Sequence, residues 1–225
     1  MYYDILIFIG LGISLIAQII VTSSYSKYKK VLNSKDLTGY EIARKILDKN
    51  GLQDIMILET KGNLSDHYDP TRKVIKLSTD IYHGSSIASA SVASHECGHA
   101  IQDKIGYKPM RIRSKIVPTV NICTKLGYIA IAIGAIFSYQ LYSLIEIGIL
   151  LLATILVFEL ITLPVEFNAS KRAMQELDKL KLIENDDKGK TKNMLSAAAF
   201  TYVASLITSF LQILRLVLIF SRRND

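Results

Sequence analysis

From Ile5 to Val21 the chain carries no charged side chain, and that run limits what it can become. About 17–25 apolar residues take a helix across a bilayer, so residues 1–25 read as an N-terminal transmembrane anchor. A cleaved leader would carry positive charge ahead of its apolar run, whereas Asp4 is the one charged side chain there. Residues 118–165 are apolar too, too long for one crossing and suited to a hairpin of two, with a break at residues 138–146. Residues 196–225 hold a third run over 197–220, interrupted by Gln212 and Arg215, and read as a transmembrane or membrane-associated helix. The net charge is +7. Its lysines and arginines crowd beside the apolar runs, as in cytoplasmic loops of membrane proteins. No nucleic-acid motif accompanies them, so the expected partner of this basic chain is the lipid bilayer. Cys97 and Cys123 lack CxxC spacing and read as unpaired thiols in a reducing compartment.

Between these runs lie two polar segments, residues 26–117 and 166–195. Asp36 or Thr38 can cap a helix through Tyr40, Ile42, Ala43, Ile46 and Leu47, stopped at Asn50-Gly51. Residues 54–60 read as a strand, Gly62-Asn63 as a turn and residues 64–70 as a loop. The lysines of 73–78 suit a strand at a sheet edge, where an extended peptide could add by β-augmentation. Residues 86–104 form a helix rich in small side chains, and 185–190 a loop. The expected fold class is α+β: a zincin-like metallopeptidase domain combined with transmembrane helices, mainly α.

The chemistry concentrates in His95-Glu96-Cys97-Gly98-His99. On a helix, positions i and i+4 share a face, so two imidazoles converge on one Zn2+ while the intervening Glu96 can take a proton from an activated water. A catalytic zinc keeps three protein ligands and one open position. His67, His83 and Cys97 are near in sequence, but Cys97 lies about 200° round the helix from His95 and faces away. Glu166 follows two crossings and so returns to the same side of the membrane; it competes with an ordinary carboxylate at a helix start. His67 and Tyr68, between Asp66 and Asp69, suit either substrate contact or a turn. Tyr202 suits an oxyanion donor or a tyrosine at the membrane interface. Glu159 stands inside an apolar run, one heptad before Glu166.

Four blocks in order carry a family likeness: DHYDP at 66–70, HECGHAIQ at 95–102, LPVEFNASKRA at 163–173 and AAAFTYVA at 197–204. From Gly39 to about Leu216 the chain resembles the YugP-type membrane zinc metallopeptidases, distantly similar to HtpX-like peptidases and more widely to the gluzincins. The resemblance implies zinc on His95 and His99, Glu96 as catalytic base and Glu166 as third ligand. Gluzincins often place an aspartate four residues after the ligand glutamate; here Ser170 stands there, leaving Asn168 and Ser170 as candidates to orient a ligating histidine.

The expected activity is hydrolysis of peptide bonds in a peptide or protein substrate, membrane proteins included, with a non-catalytic membrane scaffold holding a zinc site as the alternative. An intramembrane protease would carry its motif on a spanning helix, yet 86–104 is too polar to cross lipid. Lys27, Lys29, Lys30 and Lys35 after the first run, and Arg111, Arg113 and Lys115 before the second, place the polar segments in the cytoplasm. The protein is thus expected in the bacterial cell membrane with its site facing the cytoplasm. A fourth crossing would export Arg222 and Arg223 and make Arg215 snorkel to the outer interface.

Overall fold

The computed structural model describes residues 2–62, 64–137 and 141–221. After a 3-10 turn at Tyr2–Asp4 the order is α1 (Ile5–Tyr28), α2 (Gly39–Lys49), β1 (Met56–Thr60), β2 (His67–Asp69), β3 (Val74–Ser78), α3 (Thr79–His83), α4 (Ile87–Lys104), α5 (Lys108–Ile136), α6 (Ser143–Lys179) and α7 (Asn185–Ser221). The chain is mostly helical, with one small sheet. It divides into two compact units.

The first unit comprises Met1–Gln18, Arg111–Leu163 and Thr201–Asp225. Among the described residues four helices, α1, α5, α6 and α7, are long and apolar enough to cross a membrane; α4 is not among them. Large apolar side chains such as Phe8, Leu15, Ile122 and Leu150 stand exposed on them, as hydrocarbon rather than water would allow. Inside this unit Thr208 donates to the Gly10 carbonyl at 3.0 Å and meets the Ser14 hydroxyl at 2.9 Å. The Arg215 guanidinium reaches the Asp4 carboxylate at 2.6 Å. Arg215 therefore has an ionic partner, Asp4, with which the sequence reading did not pair it. The break expected at 138–146 includes residues 138–140, which lie outside the described residues, as do Asn63, Arg222 and Arg223.

The second unit comprises Ile19–Met110 and Pro164–Phe200. Thr38 caps α2: its hydroxyl accepts from the Glu41 N–H while the Glu41 carboxylate accepts from the Thr38 N–H. Ile42, Ala43, Ile46 and Leu47 form the buried stripe, and Gly51, at φ +65°, ends the helix. The sheet runs β1-β3-β2, with β1 parallel and β2 antiparallel to β3. Three expectations are corrected here. The strand that carries Lys76 is central, not at an edge: both of its sides are paired and Val74, Ile75, Leu77 and Ser78 are buried, so no peptide can add to it. Lys73 lies outside the strand and pairs with Asp103.

The second correction falls in 64–70, where His67–Asp69 form a strand. Asp69 makes the turn that follows, accepting from the N–H groups of Thr71 and Arg72 at 2.9 and 3.1 Å. The third falls at 185–190, which begins α7 instead of looping. Asp186 and Asp187 sit where a helix N-terminus favours negative charge, and buried Asp187 accepts from the Ser34 N–H at 2.7 Å. The chain turns instead at Leu180–Glu184, with Lys181 at φ +52°.

Candidate metal centre

Helix α4 begins where the Ser86 hydroxyl accepts from the Ser89 N–H at 3.0 Å. Its small residues, Ala88, Ser89, Ala90, Ser91, Ala93 and Ser94, are buried, so neighbouring elements close on it from most sides. Ser91 and Ser94 return their hydroxyls to the carbonyls of Ile87 and Ser91, which satisfies them without outside partners. At Gly98 the approach is closest: a Cβ there would lie 2.5 Å from the Ala169 carbonyl oxygen of α6. Only glycine admits that contact. The contact brings the α4 histidines against the carboxylate three residues earlier on α6.

The result is a convergent trio. His95 Nε2 lies 3.3 Å, and His99 Nε2 3.5 Å, from the same Oε2 of Glu166. All three donor atoms fall within 4.8 Å of one another. Tetrahedral zinc with bonds of about 2.0–2.1 Å sets adjacent donors about 3.4 Å apart, so this spacing fits it. Two imidazoles and one carboxylate also match the donor set of catalytic zinc sites. Glu166 is 2% exposed, His99 and Glu96 8% each. Burial works against a charged His99, but the Glu166 and Glu96 carboxylates outweigh it, so its pKa is raised. Cys97 on the opposite face is fully buried, its thiol against the Ala43 carbonyl and pushed up by desolvation.

The other expected residues are distributed as follows. Ser170 Oγ stands 3.2 Å from His95 Nδ1. Asn168 touches no histidine; its Oδ1 accepts from Gln102 Nε2 at 3.1 Å and Arg172 Nε at 2.7 Å. Gln102, fully buried, is the residue that sequence reasoning missed, with Oε1 3.0 Å from His99 Nδ1. Its place one turn after His99 on a buried helix face was the available signal. His67 is exposed and its Nδ1 meets the Ser65 carbonyl at 2.8 Å; His83 pairs with Glu59. Neither joins the trio. Tyr68 is buried and donates to Asp103 at 2.7 Å, tying β2 to α4 one turn beyond His99, and burial raises its pKa. Tyr202 stands half-buried on α7 in the other unit.

This geometry is that of a three-donor group able to hold a metal ion, and the comparisons with known proteins name zinc. The family described as "Putative neutral zinc metallopeptidase" matches residues 3–221, and the chain belongs to it. It is 44% identical over 225 residues, 100% of this chain and 99% of the relative, to a Bacillus subtilis (strain 168) protein named "Putative membrane protease YugP". The likeness to YugP-type proteins read from the four sequence blocks therefore holds across the chain. No solved structure matches.

Proposed function

We propose that the chain is a membrane-bound zinc metalloendopeptidase of gluzincin type, with a zincin-like arrangement of β1–β3 and α4. The convergence of His95, His99 and Glu166 on one point carries this reading. These three residues hold the metal. Bound there, zinc would supply Lewis acidity toward a peptide carbonyl and make water nucleophilic near neutral pH. Glu96, buried and adjacent to His95 in the chain, takes the proton from the attacking water and delivers it to the leaving amine. A structural zinc normally has four protein ligands, and among the described residues the group contains three, which counts against the scaffold reading.

With β3 closed on both sides, an extended substrate pairs instead with β2, whose second edge meets no strand among the described residues. The Tyr68–Asp103 hydrogen bond holds that strand beside the motif helix. Loss of casein hydrolysis, with zinc content kept, is the expected result for detergent-purified Glu96→Gln, a drop of about 10²–10⁴-fold. Chelation of the wild type should also abolish hydrolysis. A fully active Glu96→Gln protein would exclude the mechanism, and zinc-bound wild type inert toward every unfolded substrate would restore the scaffold.

The lysines and arginines flanking the apolar runs support a site facing the cytoplasm. With Cys97 and Cys123 replaced, single cysteines at Ser143 and Lys188 test it: from outside intact cells, labelling is expected at 143 only. Labelling at 188 would invert the orientation.

A further inference from the structure

A metal-binding histidine must present one nitrogen as a bare lone pair, so the proton of a neutral ring has to stay on the other. The two histidines of this site differ in how that is arranged. His95 Nδ1 faces the Ser170 hydroxyl at 3.2 Å. A hydroxyl both donates and accepts, so Ser170 leaves the ring free to carry its proton on either nitrogen. His99 Nδ1 faces an amide, Gln102, whose two ends are not equivalent.

The orientation of that amide follows from its other partners. Gln102 Nε2 stands 2.7 Å from the backbone carbonyl of Val165, which can only accept. Gln102 must therefore turn its NH2 toward α6 and its oxygen toward His99. A second constraint comes from Asn168, whose Oδ1 meets the Nε of Arg172 at 2.7 Å and Gln102 Nε2 at 3.1 Å. A guanidinium can only donate, so the oxygen of Asn168 is fixed on that side as well. The donors then run in one sense: Arg172 and Gln102 both donate to Asn168, Gln102 donates to Val165, and His99 Nδ1–H donates to Gln102. Gln102 is fully buried, and both of its N–H donors and one lone pair of its oxygen are used.

We infer that Gln102, locked by the Val165 carbonyl and by the Arg172–Asn168 pair, is the positioning residue that holds His99 as its Nδ1–H tautomer and aims Nε2 at the metal. This rests on the metal reading of the trio given above. An uncharged amide does this in place of the carboxylate often found behind such a histidine, which fixes the ring without adding negative charge to a pocket that already holds Glu96 and Glu166.

The test uses the full chain in detergent. Zinc affinity is read by competition with a chromogenic chelator, the fold by far-UV circular dichroism, and the His99 tautomer by ¹⁵N NMR of metal-free protein above the pKa of His99, in a Glu166→Ala background where no carboxylate competes for a proton on Nε2. Gln102→Leu, which removes the acceptor, should lower zinc affinity about 10–100-fold and lose the fixed Nδ1–H tautomer. Asn168→Leu should weaken affinity in the same direction, whereas Asn168→Asp, which still accepts from both Arg172 and Gln102, should restore it to near the wild-type value. A folded Gln102→Leu protein with wild-type affinity and an unchanged tautomer would overturn the inference while leaving the metal reading intact. Should Gln102→Leu not fold, equal affinities for Asn168→Leu and Asn168→Asp would overturn it. Wild-type protein that binds no zinc would sink the metal reading, and the tautomer of His99 would still decide whether Gln102 orients the ring.

Discussion

Glu159 and Glu166 stand seven residues apart on α6, so they project to nearly the same side of one helix. They belong to different compact units and meet different chemistry. Glu166 faces two imidazole nitrogens on one of its oxygens. Glu159 faces hydroxyls: its Oε1 accepts from Ser205 at 2.6 Å and Ser209 at 3.0 Å, while its buried Oε2 has no hydrogen-bond partner among the described residues. Imidazoles offer lone pairs that a cation can share with the carboxylate; the hydroxyls here donate and so occupy the acceptor sites of Oε1. The same side chain on the same stripe thus belongs to a group able to hold a metal in one place and is a hydrogen-bond acceptor in the other. The opposing helix decides which.

The largest expected effect breaks the Glu166 side of this comparison. Glu166→Ala removes one of three donors and should cost zinc affinity at least about 100-fold, and activity with it. His67→Ala should leave zinc content unchanged, because its imidazole is exposed and turned to the Ser65 carbonyl. The reverse pattern, zinc lost with His67→Ala and kept with Glu166→Ala, would displace the trio as the metal site. Next comes the contact that makes the trio possible. Gly98→Ala pushes a methyl against the Ala169 carbonyl, so α4 and α6 must separate. That should destabilise the protein by about 1–3 kcal/mol and weaken zinc binding even though no ligand has changed. Unaltered zinc affinity and melting temperature would show that the two helices do not need this approach.

How much of this was legible beforehand depended on how local each signal is. The start of α2, read as capped by Asp36 or Thr38, is a local pattern, and the structure shows the cap at Thr38 because its partner Glu41 lies within one helical turn; the HExxH spacing is local too, and α4 places His95 and His99 together. The Glu166 candidacy needed only a count of crossings and the family likeness. The place of Gln102 one turn after His99 was visible, but what orients its amide was not: its partners Val165 and Asn168 are more than sixty residues away, and a backbone carbonyl leaves no mark in sequence. The central position of β3 was missed because lysines near a strand suggest an edge, whereas Lys73 lies beyond the strand and pairs with Asp103. At 185–190, Asn, Asp and Gly were read as a loop, although acidic residues equally mark a helix start.

A smaller effect sharpens the electrostatic half of the comparison. In the metal-free protein, His99 has a raised pKa because Glu166 and Glu96 favour its charged form despite burial. A raised folded value means that this pairing stabilises fully below the ordinary histidine value of 6.5 and is lost as pH climbs through the raised one. Zinc works in the opposite direction, since it requires the deprotonated ring. Melting curves between about pH 5.5 and 8 should therefore show chelated protein losing stability as pH rises, and the increment from added zinc growing over the same range. In Glu166→Gln the chelated curve should flatten. A zinc increment independent of pH would show that proton and metal do not compete for His99.

The smallest effect is expected at Glu159, where the comparison can fail outright. Glu159→Gln keeps an acceptor oxygen for Ser205 and Ser209 and removes an ionisable group, which an apolar helix stripe holds only at a cost. Its new NH2 falls where Oε2 now has no partner, so it gains or loses little there, and the net change in stability should stay within about 1 kcal/mol. Glu159→Leu removes the acceptor altogether, yet Ser205 and Ser209 can return their hydroxyls to carbonyls one turn back on α7, so a modest loss of about the same size is expected. Neither change touches His95, His99 or Glu166, and zinc content should match the wild type in both. Zinc measured on folded Glu159→Gln decides the matter: a metal-depleted protein would mean that the two carboxylates act as one system along α6, and the division between donor and acceptor drawn from their partners would fall.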